Sequence, residues 1–562
     1  MDLQAQTSSF LQVLSRAETA TADQGWALAA DLWNEVVAAN PVEGYFWTRL
    51  AEACYENKTY DDAIAASEKA LELRDWFPAE AAYRIACCRA QLGDRDAAIA
   101  AFQRALDLGF RSLERARTDD ALASLRDDLR FREQTGMIDA SQLSRDEGWR
   151  ADLRFLWREV RRLAYDPFRY HPEATFAAKI ADIDQAIPEL SDLQILLEFQ
   201  KLIVLLGDGH AGVYPDPELD TSRRGLPVQF YLFEEGLFII AGAPAHRDLL
   251  GAQVLAFDGI DIDTVMAAVE PLICRDNEIW LKQSAPHRLR EVQVLHALGL
   301  AGSPESVTLT LLDLNGATRE VQLTTDPRYS RANLQRHFFR PAEWITLEST
   351  LESPVPLYLK QLGLPHWHEV LPEERTVYAQ INAVRNAPGS SLADFGHRIV
   401  DAAEAPGIDR LVLDLRWNPG GDTFLEMHLL TRLIGSKKLN RQGHLFVIIG
   451  RATFSAAQNF STLLDRHTEA IFVGEPTGSS PTFVGETIEF RLPYSQAYAN
   501  ASDLLWQSGW PMDYRPWLAP LLYTPPTFAA YRNNLDPAME AIRGFREVLP
   551  GTRLSPRINV EW

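Results

Sequence analysis

The sequence predicts a multidomain chain: an all-α repeat domain first, a β-rich module in the middle and an α/β core at the C-terminal end. Three observations carry this. Between about residues 20 and 115 one helical pattern returns every 34 to 35 positions. Beyond Gly225 the apolar spacing gives way to alternation among β-branched residues. From Leu411 to Thr487 two wholly apolar strand patterns each empty into a turn able to host chemistry. A length of 562 residues suits three or four domains, and the pattern shifts divide the chain into 1–141, 142–224, 225–325 and 326–562.

Aligning YDDAIAASEKALEL from Tyr60 with RDAAIAAFQRALDL from Arg95 gives an offset of 35 (95 − 60), and Ala29 to Ala63 gives 34 (63 − 29). That period, with small Ala where paired helices touch, resembles the tetratricopeptide repeat family from Trp26 to about Gly109. Such stacks serve as a dock for a peptide or protein partner, or as a helical cap on the rest of the chain. From Arg111 to Gly136 charge is dense, and Leu122, Leu125, Leu129 and Phe131 predict one further helix that closes the stack. Residues 145 to 215 form a helical lead-in, with Leu153, Leu156, Val160 and Leu163 on one face and Leu193, Leu196 and Leu197 on a later helix.

In the middle module LPVQFYLF, LFIIAGA and VTLTLLDL read as strands, and Asp258-Gly259 and Asn315-Gly316 as their turns. After Asp326 come many aromatics, among them Phe338, Phe339, Trp344, Tyr358 and Trp367, which suit either a substrate cleft or core packing. The core begins near Thr376 with VYAQINAV. Leu411, Val412 and Leu413 run apolar, as in a strand covered on both faces, and stop at Asn418-Pro419-Gly420-Gly421. Such a turn leaves backbone N–H groups unpaired, which is how an oxyanion hole is built. The second strand, Leu445 to Ile449, leads through Gly450 to Phe454 into Ser455 and a helix bearing Ala457, Phe460, Leu463 and Leu464 on one face. A Ser in that seat is either a plain N-cap or a nucleophile, and the nearby Pro-Gly-Gly turn favours the nucleophile.

The strings LDLRWNPGG, GRATFSAAQNF and FVGEPTG, in this order, resemble the core of the tail-specific, or C-terminal processing, serine peptidases, which include tricorn cores and retinoid-binding repeats. The resemblance implies a crotonase-like α/β core, Ser455 as nucleophile, and an oxyanion hole from the amides of Ala456 and of Gly420 or Gly421. It extends to LLGAQVLAFDGIDIDTVMAAV, similar to the family's PDZ-like module, and to LDPAMEAI, similar to its closing helix. In one branch of the family a Lys follows the VGEPT segment as base. Here that position reads Thr477-Gly478-Ser479-Ser480-Pro481-Thr482, with no Lys. The tricorn-like branch uses a His instead, and LLGDGHAGVYP supplies His210. Where that branch has a hydroxyl beside the His this chain has Gly209, and where the family usually has an acid after "aP" this chain has Leu521. For the group that orients the imidazole, Asp513 lies where the family's acid falls, Ser480 stands where its Lys would, and Asp208 is a neighbour of the His.

The expected function is therefore peptide hydrolysis by a serine nucleophile with a His base. The alternatives are a catalytically inactive scaffold that binds a peptide or other ligand, and an esterase or amidase acting on small molecules. A net charge of −22 argues against a nucleic-acid partner, and no long apolar run predicts a membrane span. MDLQAQTSSF lacks the pattern of a secretory leader, and Cys54, Cys87, Cys88 and Cys274 show no CxxC spacing, so a reduced, cytoplasmic chain is expected. No cofactor or metal is expected: His366-Trp367-His368-Glu369 lacks the partners a metal needs, and no GxxxxGK loop is present to cradle a phosphate.

Overall fold

The computed structural model describes residues 3–215, 224–329, 341 and 343–546. The chain divides into two compact units, the first comprising Met1–Ala164 with Ile488–Ala499 and the second Tyr165–Thr487 with Asn500–Trp562.

In the first unit six helices follow one another: α1 (Leu3–Ala22), α2 (Trp26–Ala39), α3 (Gly44–Glu56), α4 (Tyr60–Glu72), α5 (Pro78–Gln91) and α6 (Arg95–Asp107). The repeat-equivalent Ala29, Ala63 and Ala98 are wholly buried, because only a methyl fits where the paired helices meet. The single helix expected between residues 111 and 136 is instead three short turns, Leu113–Thr118, Asp120–Leu125 and Leu129–Thr135. Two aspartates cause the breaks. Asp119 and Asp128 each accept a backbone N–H two residues on, from Ala121 and Arg130, both at 2.9 Å, and so start a new turn. Leu122, Leu125 and Phe131 are buried, whereas Leu129 is 80% exposed.

The helix Arg145–Leu163 opens on a capping box of Ser144 and Glu147 and buries Leu153, Leu156, Val160 and Leu163. The sequence reading places it in the lead-in, and it falls in the first compact unit. On it Asp152 is wholly buried and accepts the N–H groups of Tyr494 and Ser495 at 2.7 and 2.8 Å. Burial pushes its carboxyl up to about 6. The Tyr494 ring also lies over Gly148, where a Cβ would come within 2.3 Å of it.

The second unit is built on sheets. The helix Asp192–Val204 precedes β1 (Gly212–Tyr214), after which come β2 (Val228–Phe233), β3 (Gly236–Gly242), β4 (Gln253–Phe257), β5 (Ile260–Asp261), β6 (Ser306–Leu312), β7 (Thr318–Thr324) and β8 (Ile345–Thr346). Strands β2 to β8 form one sheet in the order β2-β3-β4-β6-β7, with β5 on β4 and β8 on β3. Its reversals fall at Asp258-Gly259, with φ of +46° and +80°, and at Asn315-Gly316. Next are β9 (His366–Leu371), β10 (Thr376–Ile381), β11 (Arg410–Asp414), β12 (Leu445–Ile449), β13 (Ile471–Gly474), β14 (Thr482–Arg491), β15 (Tyr498–Gln507) and β16 (Leu522–Tyr523).

The six-stranded sheet runs β16-β13-β12-β11-β10-β9, parallel throughout except for the edge strand β9. Both faces are covered. Leu411, Leu413, Leu445 and Val447 face one apolar cluster with Phe395 and Phe460, while Val412, Phe446 and Ile448 face another with Met539 and Ile542. A three-stranded sheet has the order β1-β15-β14. No described helix is long and apolar enough to cross a membrane.

Candidate active site

Strand β12 ends at Ile449, and five residues later Ser455 opens the helix Ala456–His467. Its backbone sits at φ 55°, ψ −124°, a conformation that costs a residue with a Cβ roughly 1–3 kcal/mol. Its side chain makes no capping hydrogen bond, so the N-cap alternative has no bond to rest on. A strained strand-to-helix turn of this kind holds a hydroxyl proud of the backbone. The parallel turn after β11 meets it there. A Cβ on Gly420, which has φ +108°, would lie 2.7 Å from Ser455 Cβ and 2.9 Å from the Ala456 nitrogen, so only glycine allows this approach.

Of the three amides singled out in the sequence, Gly420 N–H is engaged, donating to Asn418 Oδ1 at 2.9 Å in a buried bond. Those of Gly421 and Ala456 donate to no described group. Gly421 is held by Val384, which donates to Gly420 O and accepts from Asp422 N–H, each at 2.9 Å.

His210 follows the helix Asp192–Val204 in the loop before β1. Its ring packs between Phe454, the residue before Ser455, at 4.6 Å between centroids, and Phe483 at 5.6 Å. Both ring nitrogens are buried without a hydrogen-bond partner, so a bond from Ser455 to the imidazole is not made in this conformation. Asp208 Oδ1 lies 3.9 Å from Nδ1, but its oxygens already accept the N–H groups of His210 and Ser502 at 2.8 and 3.0 Å. It fastens the loop.

Asp276 also reaches this cluster, and no local pattern in the sequence announces it. It accepts Gly209 N–H at 2.8 Å through Oδ1 and the Ser479 hydroxyl through Oδ2. Burial pushes its carboxyl up to about 6, against the pull of His210 and the Ser479 hydroxyl. Gly209 makes room for it, since a Cβ there would stand 2.7 Å from Asp276 Oδ1 and 2.9 Å from Phe454 Cζ. Asp208, His210 and Asp276 present ligand-type atoms all within 4.8 Å of one another.

The other candidates lie elsewhere. Asp513 is taken by Arg515, whose Nε and Nη2 donate to it at 2.9 and 2.7 Å. The Ser480 hydroxyl donates to Pro516 O at 2.7 Å, and it is the neighbouring Ser479 that turns towards the histidine cluster. His366 and His368 pack against Phe395, and Glu369 pairs with Lys360. Among the aromatics, Tyr358 lines a cavity, Trp344 packs on Tyr329, and Trp367 donates to Gln380; Phe338 and Phe339 lie outside the described residues.

The tetratricopeptide repeat model matches residues 45–75 and 79–108. No curated protein matches the chain. Among solved structures, mature CPAF complexed with lactacystin shares 14% identity at a TM-score of 0.51, over 71% of this chain and 97% of its own. The fold is that of the tail-specific proteases. A serine-to-alanine mutant of CPAF gives the same identity and TM-score over 71% and 96%. The photosystem II D1 C-terminal processing protease, at 12% identity and a TM-score of 0.35 over 72% and 97%, is too loosely superposed to add to that. This chain thus joins tetratricopeptide repeats to a tail-specific protease fold.

Proposed function

We propose that the chain is a serine-type peptidase of the tail-specific family that uses a His base. The observation that carries the reading is Ser455, held in a strained strand-to-helix turn with its hydroxyl unbonded and pressed against Gly420. Ser455 Oγ attacks the carbonyl carbon while His210 takes its proton, and the oxyanion accepts the free N–H groups of Gly421 and Ala456. Collapse breaks the C–N bond, and the proton on His210 passes to the leaving amine. Water then adds to the acyl-enzyme, giving its proton to His210, and the acid leaves as Ser455 regains its hydrogen. Asp276 is the acid that orients the imidazole, since it alone of the nearby carboxylates joins a hydroxyl to the histidine loop.

The seven-stranded sheet with its short helix Ile262–Val269 is read as the PDZ-like module and the six-stranded sheet as the crotonase-like core. The substrate is a peptide or protein, and the repeats offer a surface to a protein partner. The four cysteines are free and buried, in keeping with a reducing, cytoplasmic setting. A second reading, an inactive scaffold, is favoured by the unbonded nitrogens of His210. A fluorophosphonate probe separates the two. Labelling of Ser455 that His210→Ala abolishes supports the peptidase, and an unlabelled native chain leaves the scaffold.

A further inference from the structure

The second unit holds a partly open cavity of about 50 Å³, room for a small group. It lies at the carboxyl ends of the parallel strands, bounded by Arg416 and Trp417 after β11, Ile449 and Gly450 ending β12, and Gly474 and Glu475 ending β13. That edge of an open parallel sheet is where such folds bind ligands.

Its walls are aromatic and fixed. Trp417 lies 6.2 Å from Tyr358 in a near-parallel arrangement and 6.1 Å from Tyr231 edge-on, and donates to Tyr358 O at 3.2 Å. Each tyrosine has an arginine against its ring, Arg416 at 4.5 Å over Tyr358 and Arg451 at 5.0 Å over Tyr231. Neither arginine is open to an anion. Every guanidinium nitrogen of Arg416 is taken by Asp414 or Asp536, and every one of Arg451 by Glu475 or Leu232 O. A charged ligand would find no unspent counter-charge here.

What the cavity leaves unspent is hydroxyl groups. Tyr231 and Tyr358 are 9% and 7% exposed, both line the space, and neither hydroxyl makes a hydrogen bond among the described residues. Thr524 Oγ1, also in the wall, is buried without a partner. The two tyrosine hydroxyls are open to the cavity, so a ligand there can exchange their water for its own hydrogen bonds.

We infer that this cavity binds an uncharged aromatic ring bearing a hydrogen-bonding group, which packs on Trp417 and pairs with the hydroxyls of Tyr231 and Tyr358. Such a ring comes either from a side chain of a bound peptide or from a free small molecule. The site does not depend on Ser455 chemistry, so it is tested by binding alone.

The test is isothermal titration of the full chain with p-cresol, its charged counterpart 4-methylbenzoate, and N-acetyl-Ala-Tyr-Ala-amide. The expected result is saturable binding of p-cresol at least tenfold tighter than 4-methylbenzoate, weakened fivefold or more by Tyr358→Phe or Tyr231→Phe and lost in Ala530→Phe, which fills the wall. Tighter binding of the peptide than of p-cresol marks the source as a peptide side chain, and the reverse order marks a free small molecule. The inference is overturned if p-cresol and the peptide both fail to saturate, or if their binding is the same in both Tyr→Phe variants and in Ala530→Phe.

Discussion

Ser455 carries a backbone conformation that glycine adopts freely and serine does not. Two substitutions therefore separate strain from chemistry. Ser455→Gly is expected to raise stability by about 1 kcal/mol over Ser455→Ala through relief of that strain, while both abolish probe labelling. Denaturant unfolding of the two variants checks this, and equal midpoints would remove the strain argument. Asp276 gives a second prediction. Its carboxyl titrates at about 6 and must be ionised to hold an imidazolium, so Ser455 labelling rises as pH climbs through that value. Asp276→Asn is expected to cut labelling by about 10²- to 10⁴-fold at pH 7.5 and to remove that rise. Tyr170, Asp208 and His210 also face this group, so the Asn variant is the control that isolates it. The seat of Ser455 between a strand and a helix was readable in the sequence, because the apolar run Leu445–Ile449 and the helical spacing after it adjoin it. Asp276 was not, since its partners lie 67 and 203 residues away and long-range contacts leave no local periodicity.

Among the elements, the turns decide the site and the strands hold it. The turn after β11 approaches Ser455 at van der Waals range only because position 420 lacks a side chain. Gly420→Ala is expected to cost about 2–4 kcal/mol and to suppress labelling of Ser455, measured by thermal melting and probe kinetics on the same preparation. A variant that melts like the native chain and labels normally would show that the turn is not packed as described. Both core strands were legible as apolar runs covered on two faces, and the repeat helices from the spacing of Ala29, Ala63 and Ala98. The segment from 111 to 136 reads as one helix in the sequence and folds as three short turns. Its leucines keep a helical spacing, but Asp119 and Asp128 bind the backbone ahead of them and reset the helix twice.

At the scale of the whole molecule, the first unit depends on a buried acid. Asp152 in the folded chain titrates at about 6, above its unfolded value near 3.8, so the protonated form is the one that folding favours. Its contribution is fully present below about pH 4 and is lost as pH rises through 6, a change of roughly 3 kcal/mol. The stability of the native chain relative to Asp152→Asn is therefore expected to fall between pH 4 and pH 7.5, read by guanidinium unfolding at each pH. A pH-independent difference would show that the Tyr494 and Ser495 amides fully offset the burial.

Because the first unit includes Ile488–Ala499, 335 further residues (499 − 164) must be made after Ala164 before its last piece is complete. At roughly 5–20 residues per second that is a delay of about 15 to 65 s. Throughout that interval the nascent repeat helices leave the ribosome with Asp152 lacking its two amide donors and Gly148 uncovered by Tyr494. The part of the molecule translated first is thus completed only after most of the chain has been made, and a chaperone acting on the growing chain would meet it there.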